Sequence, residues 1–157
     1  METPSIRCLI LACGNTTRSD DGVGAFLAEW VAERFRKNAN VRVVWRQQWT
    51  PELAEEVAAA ESVIFVDSSA DSAPGRVRLA PVEAKAGSSG IATHHLDAPE
   101  LLSLTRALYG SRSAHAMLLT VGAGSTEFGE TFSERVEAAL PRAKDILEKT
   151  VLQFLAK

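Results

Sequence analysis

The chain has 157 residues, 46% of them hydrophobic and 24% charged, which is the size and balance of a single globular domain, 1–157, with an apolar core. Its net charge of -3, with 17 Lys and Arg scattered along the sequence, excludes nucleic acid and anionic membrane as natural partners, because both reward a basic face. No stretch approaches the roughly 20 apolar residues of a membrane span, and Met1 to Arg7 has no basic segment followed by an apolar run, so a cytoplasmic protein is expected.

Ile6 to Cys13 is a short apolar run stopped by Gly14-Asn15, and it reads as a strand buried on both faces. Cys8 and Cys13 are too few and too close for a disulfide framework or a thiolate metal site, which fits a reducing cytoplasm. From Gly22 to Lys37, Val23, Phe26, Leu27, Trp30, Val31 and Phe35 recur at steps of three and four, the stripe of an amphipathic helix. Val41 to Gln47 is β-branched enough for strand two. Thr50-Pro51 then opens a helix from Glu52 to about Ala60, with Thr50 as N-cap and Pro51 at the first helical position. Strand three is Ser62 to Val66, ending at Asp67.

Gly75 to Ala80 is a shorter strand in which Arg76 and Arg78 alternate with Val77 and Leu79, as on the solvated face of a sheet edge. Lys85 to Thr93, rich in Gly and Ser, reads as a mobile loop. A helix over Ala98 to Tyr109 and a buried strand over Met117 to Val121 follow; His115 leads into that strand. Ser133 starts the last helix, with Glu134 and Glu137 at the positive end of its dipole. Pro141 predicts a kink or a break within it. Strands alternating with helices imply an α/β three-layer sandwich, a mostly parallel twisted sheet of about five strands with helices on both faces.

In such a sheet ligands bind beyond the carboxyl ends of the strands. The polar residues at those ends are Asp20-Asp21 after strand one, Asp67 after strand three, and His94-His95 before the helix at Ala98. Two carboxylates and an imidazole from three loops form an oxygen, oxygen, nitrogen set that suits zinc or nickel and leaves positions open for substrate. Each has a plainer reading. An Asp before a helix is first of all a cap, and an Asp after a strand often closes a turn. Two Asp in succession leave one without the capping role, and two adjacent His in extended chain point to opposite sides, so at most one of them is expected to face the site. Trp30, Trp45 and Trp49 read as core or pocket aromatics. The chain has no His-Glu-x-x-His helix, no Gly-x-Gly-x-x-Gly after strand one and no Gly-x-x-x-x-Gly-Lys loop, which removes thermolysin-like, dinucleotide and nucleoside-triphosphate chemistry.

Together these residues resemble the hydrogenase maturation proteases. Gly14-Asn15 followed by Asp20-Asp21-Gly22-Val23-Gly24 is similar to that family's first motif, and the resemblance makes Asp21 its first metal ligand. Val63-Ile64-Phe65-Val66-Asp67 matches the strand ending in the second ligand, Asp67, and His94-His95-Leu96 matches the third, His94, with His95 as the fallback. Gln48-Trp49-Thr50-Pro51 resembles the segment that contributes to substrate recognition, which points to Gln48 and Thr50. The likeness extends through Val121-Gly122 and Ser133-Glu134-Arg135-Val136 and covers nearly the whole chain. It departs at Thr16-Thr17 and Ser19, where many members have Pro-Leu and a Gly, and at Gln47-Gln48-Trp49-Thr50, where the best-known members have an acidic-Gly-Gly-Thr run.

The resemblance implies an aspartic-type endopeptidase that removes the C-terminal tail of a hydrogenase large-subunit precursor. Asp21, Asp67 and His94 would grip nickel already installed in that precursor, and zinc or cadmium can occupy the site in isolation. Asp20 or a ligand carboxylate is available as proton acceptor, and the sequence does not choose between them. Two rivals stand beside this reading: a hydrolase with Cys13 as nucleophile, His94 as base and Asp67 as orienter, and a nickel-handling or chaperone module that binds the precursor without cutting it.

Overall fold

The computed structural model describes residues 5–84, 96–110 and 115–157. The expected loop over 85–93 and the His94-His95 pair lie outside the described residues. Five strands, β1 (Ile6–Cys13), β2 (Val41–Arg46), β3 (Ala60–Ser69), β4 (Val77–Pro81) and β5 (His115–Gly122), form one sheet in the order β2-β1-β3-β5-β4. All neighbouring pairs are parallel except β4 with β5. Helices α1 (Val23–Arg34), α2 (Ala54–Ala58), α3 (Ala98–Tyr109) and α4 (Glu134–Leu155) cover both faces.

Alternation along the central strands creates two cores. Cys8, Ile10 and Ala12 of β1, with Ile64 and Val66 of β3, face Val23, Leu27 and Val31 of α1 and Leu140, Leu147 and Val151 of α4. Leu9, Leu11 and Cys13, with Val63 and Phe65, face Val57 of α2, Leu101 and Leu102 of α3, and Trp49. A strand apolar at every position from Cys8 to Cys13 is buried on both faces, which is why β1 lies near the sheet centre. Each fully buried Leu, Val or Phe side chain contributes about 1.5–3 kcal/mol relative to exposure. The β4 strand lies at the edge, as the Arg alternation predicts, with Leu79 37% exposed.

Several boundaries differ from the sequence reading for identifiable reasons. Strand β3 runs on through Asp67, Ser68 and Ser69, because these polar residues continue to pair with Thr120, Val121 and Gly122 of β5. The segment after Thr50 is a 3-10 turn, Pro51–Leu53, followed by the short α2, which stops at Ala58 because Ala60 already belongs to β3. Helix α1 ends at Arg34, short of Lys37. Helix α4 is continuous through Pro141, so the expected break is absent. Proline there deprives only the Glu137 carbonyl of its donor, and Glu137 and Pro141 are both exposed, so the lost bond falls on the solvent side of the helix, where it costs least.

Candidate active site

The chain leaves β1 for β2 on one side and returns to β3 on the other, so strand order reverses between β1 and β3. Loops diverge at such a point and open a crevice at the carboxyl ends of the strands. A cavity of about 580 Å³ lies there. Its wall is built from Cys13, Gly14, Asn15, Arg18 and Asp21 at the end of β1, from Gln47, Gln48 and Trp49 after β2, from Asp67 on β3, and from Leu96, Asp97 and Glu100 at the start of α3. Among the described residues the predicted carboxylates Asp21, from the turn before α1, and Asp67, from β3, therefore line one site.

The adjacent aspartates have opposite fates. Both lie in a 3-10 turn, Ser19–Gly22, before α1. The Asp20 side chain is fully buried and accepts hydrogen bonds from the N–H groups of Gly124 (2.7 Å), Ser125 (3.0 Å) and Ser133 (2.7 Å) and from the Ser133 hydroxyl (2.6 Å). Burial by itself raises its pKa, but the bonds from Ser133, Ser125 and Gly124 outweigh burial and the net shift is downward. Asp20 thus ties the loop before α4 to the end of β1, and its lone pairs are committed to those donors. A carboxylate held in this way does not serve as the proton acceptor that its place beside Asp21 suggested, and the helix whose start it holds, α4, is remote in sequence.

Asp21 instead faces the cavity. Its Oδ2 accepts the Asn15 N–H at 2.8 Å and its Oδ1 accepts the Ser68 hydroxyl at 2.9 Å. The turn that permits this needs Gly14: its φ is +148°, and an added Cβ would collide with the Asp21 carbonyl oxygen. A Cβ at Gly24 would similarly strike the Cys13 carbonyl, so α1 can begin this close to β1 only with glycine there.

Asp67 is partly buried, and burial first of all pushes its carboxyl up to about 6; the Cys13 thiol and the Ser68 N–H, at 2.7 Å, hold it down, while the charge of Asp21 raises it further. Cys13, buried at 8% exposure, is driven well above the ordinary thiol range by burial, by the charge and hydrogen bond of Asp67, and by Asp21. A thiol in such a setting stays protonated and is a poor nucleophile.

Comparison with known proteins fits this architecture. No family profile and no curated protein matches the chain by sequence. Solved structures do. The hydrogenase maturating endopeptidase HybD from E. coli superposes with a TM-score of 0.72 at 20% identity, over 94% of this chain and 93% of that one. The [NiFe] hydrogenase maturation protease HybD from Thermococcus kodakarensis gives 0.67 at 25% identity, over 92% and 98%. The maturation protease HycI from Thermococcus kodakarensis KOD1 gives 0.67 at 25% identity, over 99% and 96%. The chain shares the fold of the hydrogenase maturation proteases.

Within this hydrogenase maturation protease fold the remaining site residues fall as follows. Gln48 lines the cavity. Thr50 does not; it stands at the N-cap of the Pro51–Leu53 turn without a capping side-chain bond, and its hydroxyl instead bonds to Glu52, lowering that exposed carboxyl's pKa. His94 lies outside the described residues, but Leu96, two positions on, lines the cavity and donates its N–H to the Trp49 carbonyl at 2.9 Å. Asp97 and Glu100 complete a capping box at the start of α3, which accounts for their presence at the wall. Among the described residues no group of three metal-ligating side chains occurs. The donors that these residues do supply are the two carboxylates, which suit a divalent ion that brings ligands of its own.

Residues that the sequence reading passed over are Ser68, Asn15 and Arg18. The first two position Asp21, and Arg18 lies against the Phe128 ring at 4.4 Å while lining the cavity. Ser68 and Asn15 had a signal, since each adjoins a candidate motif. Arg18 had none, because its partner lies in a distant loop.

Proposed function

We propose that this chain is the endopeptidase that removes the C-terminal tail of a nickel-loaded hydrogenase large-subunit precursor. The observation that carries the reading is the meeting of Asp21 and Asp67, from separate elements, in one cavity at the switch point of a fold shared with hydrogenase maturation proteases. Asp21, Asp67 and His94 together bind the nickel held by the precursor, which is substrate and not a resident cofactor, and its charge would polarise the scissile carbonyl or a water. In this scheme Asp21 is fixed by Asn15 and Ser68 and keeps a lone pair for the ion. Asp67, pushed up to about 6 by burial in the free protein, ionises to join it at the ion, while Asp20, committed to Gly124, Ser125 and Ser133, takes no part. Gln48 extends the cavity wall where the tail must lie. The two buried free cysteines fit a reducing, cytoplasmic setting.

Precursor that is metal-free, zinc-loaded or nickel-loaded is mixed with the protein and tail loss is followed by intact mass. Only nickel-loaded precursor is expected to be cut. Processing of metal-free precursor in the presence of a chelator overturns the nickel requirement, and binding without any tail loss favours the chaperone reading.

A further inference from the structure

Arg18 is the one cation among the described residues that line the cavity, and it is exposed, so it stands at the rim. Its guanidinium lies over the Phe128 ring, 4.4 Å from the centroid, and makes no hydrogen bond or ion pair among the described residues. Phe128 is 79% exposed and belongs to neither core. The backbone beneath the pair is stitched together. The Gly129 N–H donates to the Thr17 carbonyl at 2.9 Å, the Ser19 N–H to the Gly129 carbonyl at 2.8 Å, and the Ser19 hydroxyl to the Glu127 carbonyl at 2.8 Å, which makes a parallel bridge between Arg18 and Gly129. Ser19 reaches those partners with φ at +48°, the one left-handed non-glycine among the described residues. An L side chain enters that conformation at a cost, so the loops are held in place by more than local preference.

A guanidinium over a ring face keeps its N–H donors for other partners, because the ring engages the charge and accepts none of the fork. The stack also restrains a long side chain in advance, so less freedom is lost when a ligand binds. The group that matches a planar fork is a carboxylate, taken through two parallel bonds. The carboxylates of the wall itself are engaged elsewhere: Asp21 accepts from Asn15 and Ser68, Asp67 from Ser68, and Asp97 and Glu100 close the capping box of α3. The charge of Arg18 is therefore left for an acid that arrives with the substrate.

Resting on the peptidase reading above, we infer that Arg18 is a specificity-determining residue, positioned by Phe128, that binds a carboxylate of the precursor at the cavity rim. The carboxylate belongs either to an acidic side chain flanking the scissile bond or to the end of the tail.

Arg18→Gln removes the charge from an exposed side chain and should unfold at the wild-type temperature. Its KM for nickel-loaded precursor is expected to rise about tenfold with kcat within about twofold, the pattern of lost binding that is equal in ground and transition states. Arg18→Lys, a cation without the fork, should recover only part of that loss. Acidic residues of the precursor on either side of the scissile bond are then changed one at a time to their amides, and a tail ending in a C-terminal amide tests the other source. One of these changes should raise the wild-type KM about tenfold and leave that of Arg18→Gln unaltered, because both remove the same contact. Phe128→Leu keeps apolar bulk without the ring face; it should raise KM about threefold in the wild type and not at all beside Arg18→Gln. An unchanged KM in Arg18→Gln overturns the inference, as does a set of precursors in which every change acts equally on wild type and variant. A Phe128→Leu effect that persists without Arg18 overturns the positioning role and makes the ring itself the contact. If the wild type does not cut nickel-loaded precursor, the peptidase reading fails and this inference with it, an outcome visible before any Arg18 comparison is made.

Discussion

Ser68 donates its hydroxyl to the Asp21 carboxylate at 2.9 Å, across 47 positions of sequence. Its N–H simultaneously serves Asp67 at 2.7 Å, so one residue sets the spacing of both candidate ligands. Ser68→Ala removes the first bond and leaves the second. Processing should slow about tenfold, the worth of one well-placed hydrogen bond of about 1 kcal/mol or slightly more, with little change in thermal unfolding. A processing rate equal to wild type would mean that Asp21 holds its place without Ser68.

Asp67 carries a pH signature in the metal-free protein. Its folded carboxyl titrates at about 6, whereas an unfolded aspartate titrates at about 4. Between these values folding takes up a proton, so this group's contribution makes stability fall as pH rises through the window and leaves it at its lowest above pH 6. Asp67→Asn abolishes that dependence. It should be more stable than wild type at neutral pH by about 1–2 kcal/mol while losing processing. Urea unfolding between pH 4 and 7 measures it; a variant less stable than wild type at pH 7 would show that the carboxylate is held by more than Cys13 and Ser68.

Asp20 behaves in the opposite sense. Its folded pKa is depressed by the bonds from Ser133, Ser125 and Gly124, so the stability it provides is complete above the unfolded value of about 4 and disappears as pH falls toward the folded one. Asp20→Asn turns an amide N–H toward donors and should cost about 2 kcal/mol at neutral pH. The variant should also escape the acid loss expected of wild type from this group. Asp21→Asn should do the reverse, keeping stability and abolishing tail removal. Thermal unfolding and intact mass on the two variants separate scaffold from site, and equal stability of both would refute the division of roles.

The central strands were legible because burial on both faces leaves an unbroken apolar run, as in Cys8 to Cys13, and the edge strand because Arg76 and Arg78 betray a wet face. The end of β3 was not, because Asp67, Ser68 and Ser69 are held by pairing to β5 rather than by their own propensity. The same limit applies to the site. That Asp67 stands at a strand end is local information, and the structure places it beside Asp21. Which of the two adjacent aspartates is structural depends on Ser133, 113 positions from Asp20, and no local pattern in Ser19-Asp20-Asp21-Gly22 encodes that distance.

Cys13 tests the rival chemistry. Burial and the neighbouring carboxylates oppose its ionisation, Asp67 foremost among the latter. Cys13→Ala should therefore process precursor within a factor of about three of wild type, the loss of one weak hydrogen bond to Asp67. Complete loss of cleavage in a folded Cys13→Ala protein would restore a thiol nucleophile.

The imidazole remains to be assigned, and proton competition can do it. Both Asp67, at about 6, and a histidine, at about 6.5, must be deprotonated before they bind a metal, so affinity for cadmium or nickel should fall as pH drops from 7 to 5. With two such groups the slope of log affinity against pH approaches about two in wild type, and removing one should lower it to about one. His94→Ala is expected to give that lower slope together with weaker binding, and His95→Ala to leave both as they were. Isothermal titrations at several pH values decide between them: if His95→Ala changes the slope instead, the ligand is its neighbour, and if neither does, the two carboxylates bind the ion without help from this segment.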